Sequence, residues 1–212
     1  NATVSVSYNG GETWAGTSLG GDFSGARLNA VVYGGGDFYI VGNGGRRAYS
    51  NTPANGSSWA RYVSNSRNIN TYPNEKDDPG YPFFGNNLTK VTYGTYGGSP
   101  GIAVVFDEWG GRRIALAAHT NFSSKTWDAD LDAGAFGTNA IRGIAFGGGN
   151  FVAAGQSSMI GFWPSANPGD TANRYWRALP FHEFQYWEIT ALAALNGRFF
   201  AGHIGGKIGY SR

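Results

Sequence analysis

Two short stretches of this chain concentrate side chains that could do chemistry. "PFHEFQYWE" (180–188) brings together His182, Glu183, Phe184, Tyr186, Trp187 and Glu188, and "DEWGG" (107–111) sets Asp107, Glu108 and Trp109 on a glycine-closed tip. Rings beside carboxylates suit carbohydrate: a sugar offers an apolar C–H face for stacking, and its hydroxyls need acceptors such as Asp and Glu. His203, in "AGHIGG", is a further hydrogen-bonding candidate. A glycosidase would need two carboxylates roughly 5–10 Å apart across the scissile bond. Asp107, Glu108, Glu183 and Glu188 are the available set, although Asp107 and Glu108 alone make a poor pair because adjacent residues point apart. His119, His182 and His203 come from scattered segments without H-x-x-x-H spacing, so no dedicated zinc site is expected. The "GGG" runs at 34–36 and 147–149 follow strand-like stretches and do not join a strand to a helix, which excludes phosphate loops and nucleophile elbows.

The elements that must position these groups are short strands. The chain has 212 residues, of which 35 are Gly, 16% are aromatic and only 14% are charged. Many short strands, punctuated by glycine turns and packed through aromatic and β-branched side chains, need that composition. Net charge is +2, and Lys and Arg do not run together beyond Arg46-Arg47 and Arg112-Arg113, so nucleic acid is not an expected partner. Cys is absent, which removes disulfides and thiolate metal sites. No apolar run approaches the ~18 residues of a membrane span. The start, "NATVSVSYNGG", has neither a charged n-region nor an apolar h-region, so any export signal is expected to have been removed already. Sequons at Asn1, Asn55, Asn87 and Asn121 are about as many as chance supplies and decide nothing.

Four segments repeat one pattern: 28–50, 88–118, 141–165 and 189–211. Each holds an apolar stretch, a glycine turn, a second apolar stretch, a second turn and a third stretch, which reads as three antiparallel strands. Polar loops then lead from Ser50 to Trp59, from Thr120 to Trp127 and from Ser165 to Trp176. The loop that the fourth segment lacks stands at the other end of the chain, as "SYNGGETW" with Trp14. Each Trp is expected to begin a fourth strand. A period of about 40–50 residues with four strands marks a β-propeller blade. The one longer interval holds an unpatterned insert, 64–87, within a single domain spanning 1–212.

At these loops the chain resembles the Asp-box (BNR) repeat of sialidase-like β-propellers, whose pattern is Ser-x-Asp-x-Gly-x-Thr-Trp. Ser7, Asn9, Gly11, Thr13 and Trp14 match that spacing, with Asn9 where the family has Asp, while the other copies are degenerate. The resemblance implies a structural role for these residues and for Trp59, Trp127 and Trp176, on the face opposite the functional one. It does not extend to sialidase chemistry, since no Arg-Ile-Pro-like motif stands near the start and "RALP" (177–180) is a poor imitation in the wrong place.

The expectation is therefore an all-β, small β-propeller of four four-stranded blades closed by both termini, with five blades or a piece of a longer propeller as alternatives. "VSVSY" (4–8) resembles the third strand "KIGYS" (207–211), so the ends overlap by about one strand. The long loops collect on the face formed by the fourth-to-first and second-to-third strand connections. There Asp107, Glu108, Trp109, His182, Glu183, Tyr186, Trp187 and His203 are the expected ligand-binding set of an exported, non-catalytic module whose partner is glycan. A protein-interaction scaffold and a polysaccharide-cleaving enzyme are the competing readings. No cofactor is expected; a calcium ion in the channel or loops would fit a narrow ring, but no motif supports it.

Overall fold

A computed structural model describes residues 2–62, 83, 85–108, 111–118, 122, 128–131, 136, 139–164, 177–180 and 187–211. They form seventeen antiparallel strands with a few 3-10 turns. A first pair, β1 (Thr3–Val6) and β2 (Ala15–Ser18), makes a sheet of its own. The first full blade is β3 (Leu28–Gly34), β4 (Asp37–Gly42), β5 (Arg47–Ser50) and β6 (Ala60–Tyr62). The second is β7 (Leu88–Tyr96), β8 (Ser99–Glu108), β9 (Gly111–Ala118) and β10 (Asp128–Leu131). The third is β11 (Ile141–Gly147), β12 (Asn150–Gly155), β13 (Met159–Pro164) and β14 (Arg177–Pro180). A last sheet holds β15 (Ile189–Leu195), β16 (Arg198–His203) and β17 (Ile208–Tyr210). In every sheet neighbouring strands are consecutive in the chain.

The first hairpin of each blade closes through two residues of positive φ: Gly35-Gly36, Gly97-Gly98, Gly148-Gly149 and Asn196-Gly197. That backbone twists with the strands, as type I′ turns do, and it explains the Gly-Gly and Asn-Gly pairs. The fourth strands β2, β6, β10 and β14 begin directly after Trp14, Trp59, Trp127 and Trp176.

Successive first strands pack face to face in chain order, β3 on β7, β7 on β11 and β11 on β15. The core lies in the seams. Tyr39, Val41, Leu88, Val104 and Phe106 fill the first, and Val105, Ile114, Leu116, Ile141 and Phe151 the second. At about 1.5–3 kcal/mol for each large side chain fully buried, these seams are where the stability resides. Arg47 is buried in the first seam, donating from Nε to the Phe122 carbonyl at 2.9 Å with its guanidinium over the Phe83 ring. Phe83, in the long insert, stands edge-on to Phe106 at 5.4 Å.

The all-β propeller is thus what the repeats predicted, but its closure differs. β1 pairs with β2 and not with the last sheet, which remains three-stranded among the described residues. The cause is local: the Ser7–Trp14 loop folds β1 back onto β2, so the third-strand sequence "VSVSY" takes its own fourth strand. The two ends of the array stay uncovered, with Val31 and Tyr33 exposed at one and Leu195 at the other.

Candidate functional site

The first strand of each blade opens with a buried or half-buried apolar residue: Leu28, Leu88, Ile141 or Ile189. Directly after it the register shifts by one residue in all four, between Leu28 and Ala30, Leu88 and Lys90, Ile141 and Gly143, and Ile189 and Ala191. The extra residues are Asn29, Thr89, Arg142 and Thr190. A bulge leaves its extra residue out of the ladder and re-aims its side chain, so four polar groups come to one end of the array. Below each bulge the ladder resumes with one bond: Asn43 N–H to the Arg27 carbonyl (3.0 Å), Asp107 to Asn87 (2.9 Å), Gln156 to Ala140 (2.9 Å) and Ile204 to Glu188 (3.0 Å).

These groups line an open basin of about 410 Å³. Arg27, Lys90 and Arg142 bring positive charge and Asp107 negative; Asn29, Asn43 and Asn87 bring amides, and Thr89 and Thr190 hydroxyls. Arg142 forms an ion pair with Glu188. Asn29 Nδ2 donates to Asn43 Oδ1 (2.8 Å) and to the Leu88 carbonyl (2.7 Å), while Asn87 Oδ1 accepts from Gly44 N–H (3.3 Å), so the amides also lace the first blade to the second. The Thr89 and Thr190 hydroxyls turn back onto the carbonyls of Val105 and Gly202. The basin lies on the face expected from the strand connections.

Of the expected ligand-binding residues, Asp107 lines this basin. Trp187 is half exposed and tilts over His203, with ring centroids 5.8 Å apart. Its carbonyl accepts from both the N–H and Oγ of Ser158 at 3.0 Å, which bolts it to the third blade. His203 is buried, and its Nδ1 accepts from Gly205 N–H at 2.8 Å. The proton of the neutral ring therefore sits on Nε2, and the imidazole supports Trp187 from beneath. Glu108 ends β8, paired with Gly111. Trp109, His182, Glu183 and Tyr186 lie outside the described residues, as do Trp127 and Trp176. Among the described residues no group of three metal-ligating side chains converges.

Sequence reasoning missed Asn29, Arg142 and the cations around them. The available signal was the polar residue that interrupts each apolar start, in "LNA", "LTK", "IRG" and "ITA".

On the opposite side, the Ser7–Trp14 loop is closed by its own side chains. Ser7 Oγ donates to Asn9 Oδ1 (2.9 Å) and accepts from Gly11 N–H (2.8 Å), and Trp14 Nε1 donates to the Gly11 carbonyl (2.9 Å). Trp59 repeats the last bond with the Pro53 carbonyl (3.0 Å).

Blades of four antiparallel strands, stacked through their first strands with a polar mouth at one end, define a β-propeller. No protein-family model and no curated protein matches the chain significantly. Among solved structures it is similar to "YCF48 bound to D1 peptide", with a TM-score of 0.58 and 23% identity over 100% of this chain and 59% of that one. YCF48 from Cyanidioschyzon merolae is similar at a TM-score of 0.49 and 11% identity, covering 84% of this chain and 50% of that one. The computationally designed Ika4 protein stands at 0.49 and 12%, covering 88% of this chain and 91% of its own. The chain thus spans less than two thirds of the YCF48 chains it resembles. No helix is long and apolar enough to cross a membrane among the described residues.

Proposed function

We propose that this chain is a protein-binding propeller module that holds an extended segment of a partner in the bulge-lined basin. The observation that carries this is the makeup of the basin. Three amide side chains stand among Arg27, Lys90 and Arg142, with Asp107 the single carboxylate of the lining. Asn29 directs both Nδ2 hydrogens to Asn43 and Leu88 and keeps its Oδ1 as an acceptor, while Asn43 and Asn87 keep Nδ2 as donors. Amide donors and acceptors match those of a peptide backbone. With Arg142 paired to Glu188, Arg27 and Lys90 against Asp107 leave a net positive lining that favours a segment bearing an acidic group. The YCF48 structure described as bound to D1 peptide supports the reading, since it puts a peptide on a propeller of similar fold.

Glycan recognition would centre instead on Trp187, which offers a half-exposed ring. No aromatic side chain stands among the described lining of the basin.

A displayed peptide library and a glycan panel, screened in parallel, test the proposal. Enriched peptides that lose affinity on Arg142→Ala and Asn87→Ala, and weaken with salt, are the expected result. Glycan binders lost on Trp187→Ala, with no peptide enriched, would replace it.

A further inference from the structure

The four first strands align without a gap from their opening apolar residue. Their sixth residues are Tyr33, Tyr93, Phe146 and Ala194, and their seventh are Gly34, Gly94, Gly147 and Leu195. At each interior seam the seventh residue of one blade meets the sixth of the next. A Cβ at Gly34 would stand 2.1 Å from Tyr93 Cγ, one at Gly94 2.2 Å from Phe146 Cγ, and one at Gly147 2.9 Å from the Ala194 Cβ. At the first two seams a ring seats there only because the position beneath it has no side chain, and at the third the Ala194 methyl takes the same place.

The open ends of the array show the two halves of this contact uncovered. On β3 the fourth and sixth residues, Val31 and Tyr33, are 61% and 62% exposed, and the seventh residue of β15, Leu195, is 64% exposed. β1 and β2 form the outer half of a blade, because the Ser7–Trp14 loop between them is the loop that elsewhere joins the third strand to the fourth. They cover only the outer half of the first blade, where Ala2, Leu19 and Phe23 cluster with Ile40, Ala48 and Trp59. Over the inner half lies an apolar cleft of about 560 Å³ between β1 and β3, walled by Val4, Val6, Trp14, Val31 and Phe38.

We propose that this cleft is the docking site for a β-hairpin that carries a glycine opposite Tyr33. The hairpin adds to the edge of β1 that faces away from β2 and lies over Val31 and Tyr33, as the first two strands of a blade lie over their neighbour at the three interior seams. Main-chain bonds to β1 supply the register, and the glycine supplies selectivity. A second copy of the chain does not fit. Its free end arrives as three strands, so β17 would fall where β1 already stands, and its socket position is filled by Leu195.

Three synthetic peptides test this: residues 141–155, whose seventh residue is Gly147; residues 189–203, whose seventh is Leu195; and the latter with Leu195→Gly. Each is titrated into the intact protein and read by amide exchange on β1 and at Val31 and Tyr33. The 141–155 peptide should protect those amides and bind at least tenfold tighter than 189–203. The Leu195→Gly peptide should close most of that gap, and Tyr33→Ala in the protein should erase the preference. Absence of protection by 141–155, or equal binding of 141–155 and 189–203, overturns the proposal. So does light scattering that shows a concentration-dependent dimer lost on Tyr33→Ala, which would make a second copy the occupant.

Discussion

Asn9 grips Thr13 twice: its Oδ1 accepts the Thr13 N–H at 3.0 Å, and its Nδ2 donates to the Thr13 Oγ1 at 3.0 Å. The same Oδ1 also takes the Ser7 hydroxyl, so one side chain ties both ends of the turn between β1 and β2. Only the Nδ2 bond needs an amide. A carboxylate would accept the other two, and the Thr13 hydroxyl can rotate to become a donor.

Asn9→Ala should therefore lower stability by roughly 0.5–2 kcal/mol, the usual cost of losing a capping side chain, whereas Asn9→Asp should stay within about 0.5 kcal/mol of the parent. Urea unfolding of the two variants checks this; equal losses would mean that the turn is held by its backbone alone.

The glycine sockets make a second prediction. Gly94→Ala forces a methyl into the Phe146 ring and should cost roughly 1–3 kcal/mol by overpacking. Gly202→Ala, whose new Cβ would meet its nearest neighbour, Ala191 Cβ, at an ordinary 3.8 Å, is the control and should be close to neutral.

The sequence revealed the strands and turns because they are local: two-residue turns with positive φ leave a Gly-Gly or Asn-Gly trace, and each tryptophan announces its fourth strand. The pairing partner of β1 was not legible, because "VSVSY" matches a third strand equally well in a closed ring and in a half-blade; the loop from Ser7 to Trp14 decides between them. The basin escaped notice for a related reason. A bulge breaks the two-residue alternation by one position, so Asn29 and Arg142 look like ordinary outward residues of a strand, while the chemically richer loops draw the eye. Asp107 stood out because it borders the tip that joins β8 to β9, although it pairs with Arg112 in that ladder, whereas Lys90 lies well inside β7, where nothing marks it.

Burial is the largest cause that pushes the Tyr39 phenol well above its ordinary value near 10, with the Asp37 carboxylate next. The folded state thus keeps a proton that the unfolded chain releases, so its contribution is intact below pH ~10 and is lost as pH rises further. Denaturation midpoints should be flat up to about pH 9 and then fall, and Tyr39→Phe should flatten part of that fall. An unchanged alkaline slope in the variant would assign the loss to other groups.

Arg47 is fully desolvated, and its Nε serves the Phe122 carbonyl, so Lys cannot reproduce the bond. Arg47→Lys and Arg47→Ala should both destabilise, by roughly 1–3 kcal/mol, and the loss should appear in equilibrium unfolding without altering ligand affinity.

The central claim is that the bulge-lined basin receives a protein segment. The most direct measurement is an amide and side-chain NMR map of the protein with a selected peptide ligand, repeated with Arg142→Ala. The account predicts perturbations at Asn29, Asn43, Asn87, Thr89 and Arg142, with affinity falling at least tenfold in the variant. Perturbations confined to Trp187 and its loop, with Arg142→Ala binding as the parent does, would contradict it.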